Sequence, residues 1–152
     1  MKNDTLTSKV DMIASECLAV RIRLLNRTVT NIFDEALRPL GVKVSQLHVL
    51  MVVAKRGPIS PGDLARFLNM EKSTLSRNVE RMRTHGWLKV SQGDSGQKQI
   101  LELDLAGRKL IEKSLPLWEK AQAKTEAVLG ERGAQSIHRT ANTVWAQRGR
   151  KW

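Results

Sequence analysis

The stretch from Ile59 to Val90, ISPGDLARFLNMEKSTLSRNVERMRTHGWLKV, constrains this chain more than any other, because it specifies two short helices in immediate succession and then a strand. Ser60 can cap the free N–H groups of a helix, Pro61 suits its first position, and Asp63 sets negative charge against the positive helix end. Leu64, Ala65 and Leu68 form the apolar side of that helix. A turn at Asn69, Met70 and Glu71 leads to a second helix from Lys72 to His85, stopped by Gly86. At about 100° per residue, Leu75, Val79 and Met82 share one side of it, and Ser73, Thr74, Arg77, Arg81 and Thr84 gather on the other. The pattern is a helix-turn-helix running into a wing. Hydroxyl and guanidinium groups on one exposed helix face suit a DNA major groove, where Arg chelates guanine edges and Ser or Thr bonds bases or phosphates.

The charge balance agrees with a polyanionic partner. Among 152 residues, Lys and Arg outnumber Asp and Glu by 26 to 15, a net charge of +11, while 41% hydrophobic content is ordinary for a folded domain. A membrane surface is the competing polyanion. However, the longest apolar run, Val49 to Ala54, falls far short of the ~20 residues that span a bilayer, and the polar N-terminus lacks a secretory segment. The expectation is a cytoplasmic protein without a membrane partner. Cys17 is the only cysteine, which rules out an intrachain disulfide framework and zinc-binding cysteine pairs. His48, His85 and His138 lack metal-ligand spacing, so neither a metal nor a cofactor is expected. His85 closes the recognition helix, and His48 is expected within the packing of its helix. The four tryptophans, Trp87, Trp118, Trp145 and Trp152, read as packing residues.

The flanking segments read as helices. A long helical pattern over 10–38 carries Ile13, Cys17, Val20 and Leu24 on a stripe that Leu18, Leu25, Val29, Ile32 and Ala36 widen, more apolar girth than one partner helix needs. Sharing with a second subunit accounts for it. Pro39 and Gly41 stop this helix, and Ser45 is placed to cap the next, which carries Leu47, Leu50, Met51 and Val53. Trp87 to Val90 and Lys98 to Asp104 read as a hairpin around a polar tip, Gln92 to Gln97. Asp104 caps a long helix to Leu129 with Pro116 inside it, where one continuous, kinked helix is expected. A last helix covers 134–147, followed by a basic tail ending at Trp152.

In this order, the chain resembles the MarR family of winged-helix transcriptional regulators over nearly its full length. The resemblance rests on Ser73-Thr74-Leu75-Ser76-Arg77 followed by Gly86-Trp87-Leu88, on Leu103-Asp104-Leu105-Ala106-Gly107, and on Phe33 to Gly41. It implies a mainly α fold with a small two-stranded β wing. The DNA-binding lobe would span 45–104, with dimerisation helices at 10–38 and 105–147 that intertwine in a homodimer on an inverted repeat of double-stranded DNA. It also implies base or adjacent phosphate contacts from Ser73, Thr74, Ser76 and Arg77, and phosphate contacts from Ser60 and Arg81, while the charge of the same helix adds Lys72 as a DNA-contact candidate. Where family wings carry an arginine, Asp94 to Lys98 has none, and Lys98 is the remaining candidate.

Family members answer to small aromatic ligands, thiol oxidation or metals. Leu25, Phe33, Met51 and Trp118 are candidate pocket residues, each equally readable as core. Cys17 is a candidate thiol, but the chain has no tyrosine, unlike the family's peroxide sensors, and Ile13, Ala14 and Val20 suggest an inert apolar setting. The leading expectation is therefore a sequence-specific regulator, a ligand-modulated repressor. Its alternatives are a non-specific architectural DNA binder and a thiol-redox-responsive regulator. No phosphate-cradling glycine loop or catalytic triad appears, so no enzyme is expected.

Overall fold

The computed structural model describes residues 2–93 and 98–149. In chain order it contains α1 (Lys2–Glu16), α2 (Leu18–Leu37), a short 3-10 turn (Arg38–Leu40), α3 (Val44–Arg56), α4 (Pro61–Leu68), α5 (Lys72–Thr84), β1 (Leu88–Gln92), β2 (Gln99–Leu103), α6 (Leu105–Leu129) and α7 (Glu131–Gln147). The mainly helical class with a two-stranded wing is the one expected. The wing tip at 94–97 and the basic tail at 150–152 lie outside the described residues.

Four local expectations are corrected. The helix anticipated over 10–38 is broken at Cys17, whose backbone is extended at φ −65° and ψ 108°. Arg21 folds back over the break, its Nη1 donating to the carbonyls of Ala14 at 3.4 Å and Cys17 at 3.3 Å, and its Nη2 to that of Ser15. Apolar periodicity continues across such a one-residue break, so side-chain pattern does not register it. Nor is Cys17 enclosed, since Ile13 and Val20 are 60% and 58% exposed and the thiol residue itself is half-buried. Ser45 is not the cap of α3: the helix starts one residue earlier, with Lys43 at the N-cap. Its leading amides are satisfied from elsewhere, Lys43 N–H donating to Gln46 Oε1 at 2.9 Å and Val44 N–H to Asp34 Oδ1 at 2.8 Å. Finally, His48 faces outward while Leu47 and Val49 on either side are buried.

The core gathers around α3. Leu47, Val49, Leu50, Val52 and Val53 meet Phe33 and Leu37 of α2, Leu64 of α4, Leu75 and Met82 of α5, Leu88 and Leu101 of the wing, and Leu110 and Ala121 of α6. Helix α6 runs unbroken through Pro116 and lies along α2. The wing pairs Leu88 with Leu103 through to Gln92 with Gln99 in antiparallel register. Ile59 adds a one-residue third strand, its N–H donating to Leu101 O at 3.1 Å and its carbonyl accepting from Leu101 N–H at 2.9 Å. The start of α4 is thereby stitched to the wing.

By contrast, among the described side chains of α1 and the first half of α2 none is buried. Leu6, Ile13, Leu18, Ile22 and Leu24 are 60% or more exposed, and Ile137 and Val144 of α7 stand out as well. Each such side chain gains roughly 2 kcal/mol when covered. This apolar surface is therefore costly to leave in water.

The close approach of α6 to the wing requires glycine. Asp104 N–H donates to Trp87 O at 3.1 Å, and a Cβ on Gly107 would lie 2.2 Å from that same oxygen. Overpacking of this kind costs about 1–3 kcal/mol and sometimes more. Gly107→Ala should therefore lower the unfolding free energy from urea titration by that amount, whereas Gly133→Ala, whose added methyl would make ordinary contact with Leu129 at 3.6 Å, should be neutral or stabilising. Equal unfolding free energies for the two variants would show that the junction yields.

Candidate nucleic-acid interface

Helix α4 begins as its residue types dictate. Ser60 Oγ accepts from Asp63 N–H at 3.1 Å and donates its own proton to Asp63 Oδ2 at 2.6 Å, and Pro61 occupies the first turn. Arg66 pairs with the other oxygen of Asp63. The Ser60 hydroxyl, and secondly the Arg66 guanidinium, hold the Asp63 carboxyl below its ordinary pKa. The helix ends at Asn69, which at φ 52° takes the left-handed conformation that asparagine tolerates well. Its N–H closes onto the carbonyls of Ala65 and Arg66.

Helix α5 is fixed from behind and open in front. Leu75 and Met82 are buried, while Lys72, Ser73, Thr74, Ser76, Arg77 and Arg81 are all exposed. His85 caps the end, its Nδ1 lying 2.7 Å from Arg81 O and its ring 4.5 Å from that of Trp87. Electrostatics separates the cations of this helix. Arg83 is neutralised by a two-point ion pair with Glu80, at 3.1 Å and 2.7 Å, which lowers the glutamate's pKa and raises the arginine's. No carboxylate among the described residues pairs with Lys72, Arg77 or Arg81. Their charge stays available to an outside anion.

The structure brings most of the expected DNA-contacting residues together. Lys72, Ser73, Thr74, Ser76, Arg77 and Arg81 share α5, and Ser60 begins α4 behind it. Lys98, exposed at the base of the wing, is near enough to Asp63 to act on it electrostatically. The Ser60 hydroxyl is already engaged as a cap. One contact had no signal in the sequence: Arg148 Nη1 at the end of α7 donates to Asn69 Oδ1 at 2.9 Å across 79 residues.

The four candidate ligand residues separate. Phe33 is a core side chain, and Met51 and Trp118 pack against the core. Leu25 alone lines a cleft of about 440 Å³, with Ile22, Asn26 and Val29 of α2 and Ser136, Ile137 and Thr140 of α7. The alternative reading of Phe33, Met51 and Trp118 as packing residues therefore describes their position.

A helix-turn-helix with an exposed, charge-uncompensated second helix, a stitched wing and a long trailing helix defines the winged-helix class of regulators. A model of the MarR family matches residues 40–97, from the end of the 3-10 turn to the wing tip. The DNA-bound transcriptional regulator MosR of Mycobacterium tuberculosis is 31% identical, with a TM-score of 0.73 over 88% of this chain and 99% of that one. This chain belongs to the MarR family. The regulator BpsR of Bordetella bronchiseptica, whose DNA binding is regulated by 6-hydroxynicotinic acid, shares the fold at 21% identity, with a TM-score of 0.76 over 86% and 94% of the two chains. Among curated proteins, the uncharacterized HTH-type transcriptional regulator YwoH of Bacillus subtilis is 28% identical over 57% of this chain and 63% of its own length. The chain spans about three fifths of the length of the curated relatives it matches.

The capping geometry makes a pH prediction. A carboxyl with a depressed folded pKa contributes stability above its unfolded pKa, and the contribution is lost as pH falls through the folded one. In a carbon-detected NMR titration, Asp63 should titrate below the ordinary aspartate range. Ser60→Ala should move it back upward and cost about 1 kcal/mol of stability. An unshifted Asp63 in the unaltered chain would contradict the bond.

Proposed function

We propose that this protein is a DNA-binding transcriptional regulator that acts as a homodimer on an inverted repeat, repressing until a small ligand alters the spacing of its two reading heads. The observation that carries the reading is the front of α5. Ser73, Thr74, Ser76 and Arg77 are exposed on a helix anchored by Leu75 and Met82, and Arg77 has no carboxylate partner. In this reading Arg77 and the hydroxyls meet base edges and adjacent phosphates, while Ser60, Lys72, Arg81 and Lys98 follow the backbone. The exposed apolar faces of α1, α2 and α7 support a second copy as their cover. The cleft between α2 and α7 is apolar with Asn26, Ser136 and Thr140 at hand, which suits a small aromatic effector. BpsR, of the same fold, is regulated by such a molecule. Among the described residues no single helix is long and apolar enough to cross a membrane. A cytoplasmic, non-enzymatic role is part of the same proposal.

Selection of preferred duplexes from a random pool tests this directly: a dyad with half-sites about one helical turn apart is expected. On the selected site Arg77→Ala should cost about 1–3 kcal/mol, and far less on random DNA. Equal losses on both, with diffuse footprints, would favour the non-specific architectural reading that the net charge of +11 supports. Sedimentation should give a dimer for the unaltered chain and a monomer for Leu24→Glu. A monomeric unaltered chain that still binds the dyad tightly would refute the symmetric arrangement.

A further inference from the structure

We propose that Arg148, at the end of α7, is a DNA-phosphate contact held in position by Asn69, so that the last helix contributes to the DNA footprint. This rests on the DNA-binding reading above and adds to it a residue far from the helix-turn-helix in sequence.

The geometry begins with Asn69. It is the only non-glycine residue with positive φ among those described, and its N–H is spent on the end of α4. Backbone conformation therefore directs its side chain. Its Oδ1 accepts the Arg148 Nη1 proton at 2.9 Å, three residues before α5 begins. Around this point lies a groove of about 580 Å³ whose polar lining comes from Arg66, Asn69, Glu71, Lys72 and Ser73. In helix-turn-helix docking the first helix crosses the DNA backbone while the N-terminal residues of the second enter the major groove. The turn joining them is where a phosphate strand passes.

The choice of partner decides the role. A tie meant only to brace α7 against the turn would be stronger with a carboxylate, since ion-assisted hydrogen bonds are roughly twice as strong as neutral ones. Asn69 is a neutral amide: it orients the guanidinium and leaves its charge intact. Arg66, across the groove, is already neutralised by Asp63, whereas Arg148 forms no ion pair among the described residues. Glu71, the carboxylate lining the groove, does not pair with it. An oriented, uncompensated guanidinium beside Lys72 is what a backbone phosphate requires.

The test is the salt dependence of binding, measured by fluorescence anisotropy on the full chain with a random-sequence duplex and with the selected dyad. Loss of one phosphate contact flattens log K against log salt by about 0.9 per protomer. Arg148→Ala should do this on both duplexes and weaken both alike, by roughly threefold to tenfold at moderate salt. Arg148→Lys should keep the slope. Asn69→Asp, which retains the acceptor and the left-handed backbone but supplies a neutralising charge, should flatten it as Arg148→Ala does. Unchanged affinity and slope in Arg148→Ala, or weaker binding with the original slope, would overturn the proposal, the second result identifying a brace. If the unaltered chain binds neither duplex, the DNA-binding reading itself falls, and that failure is separate because it precedes any variant.

Discussion

The backbone of Trp87 is the joint on which the two parts of this chain turn. Its N–H donates to Met82 O at 2.9 Å, closing the recognition helix, and its carbonyl accepts from Asp104 N–H at 3.1 Å, at the root of α6. Gly107 then lies flat against that carbonyl with no room for a methyl group. Three elements, α5, the wing and α6, converge on one residue. The direction in which α5 presents Arg77 is set relative to α6 by these backbone contacts together with the core packing of Leu75 and Met82. A reading head mounted this way transmits the orientation of the long helix to whatever α5 touches.

The two ends of α6 face opposite physical demands. Near the wing it is closed in by the core, with Gly107 and Leu110 buried. Toward its far end it meets α2 and α7, where the chain leaves large apolar groups in water: Val128 is 57% exposed, Ile22 63% and Leu24 65%. Scattered exposed apolar residues are ordinary, but a continuous set along three helices is a surface awaiting cover. The winged lobe is closed by its own core, whereas α2 and α7 leave apolar side chains exposed. On the proposed reading, a second copy and a small effector would both act at that exposed end.

What the sequence made legible follows from what leaves a mark in side-chain type. Ser60 and Asp104 were readable as caps because their side chains make the capping bond themselves. The faces of α5 were readable because burial of Leu75 and Met82 imposes the helical period on the polar residues opposite. Ser45 misled because the amides of α3 are satisfied by Asp34 and Gln46, one of them from another helix, and such a bond is invisible locally. The break at Cys17 escaped because it interrupts the backbone without disturbing the apolar stripe. Leu25 lies apart from Phe33, Met51 and Trp118 for a related reason: apolar residues on adjoining helices can face the core or a cleft, and only packing decides. Arg148 carried no signal at all, since a contact spanning 79 residues depends on where α7 happens to end.

Helix α7 brings these observations together. Ser136, Ile137 and Thr140 line the cleft near its start, and Arg148 touches the turn before α5 just past its end. A rise of about 1.5 Å per residue puts roughly 12 Å between Thr140 and Arg148, so a single stiff rod joins the two places. A molecule that wedges α7 away from α2 displaces that rod as a unit, because a helix transmits a rigid shift along its axis more readily than it bends. A displacement of one or two ångströms suffices to separate Arg148 from Asn69, given that a hydrogen bond fails beyond about 3.5 Å. If the cleft holds an effector and Arg148 a phosphate, as proposed, the two sites would be coupled through the geometry of one helix inside one chain, in addition to any change in the spacing between two lobes.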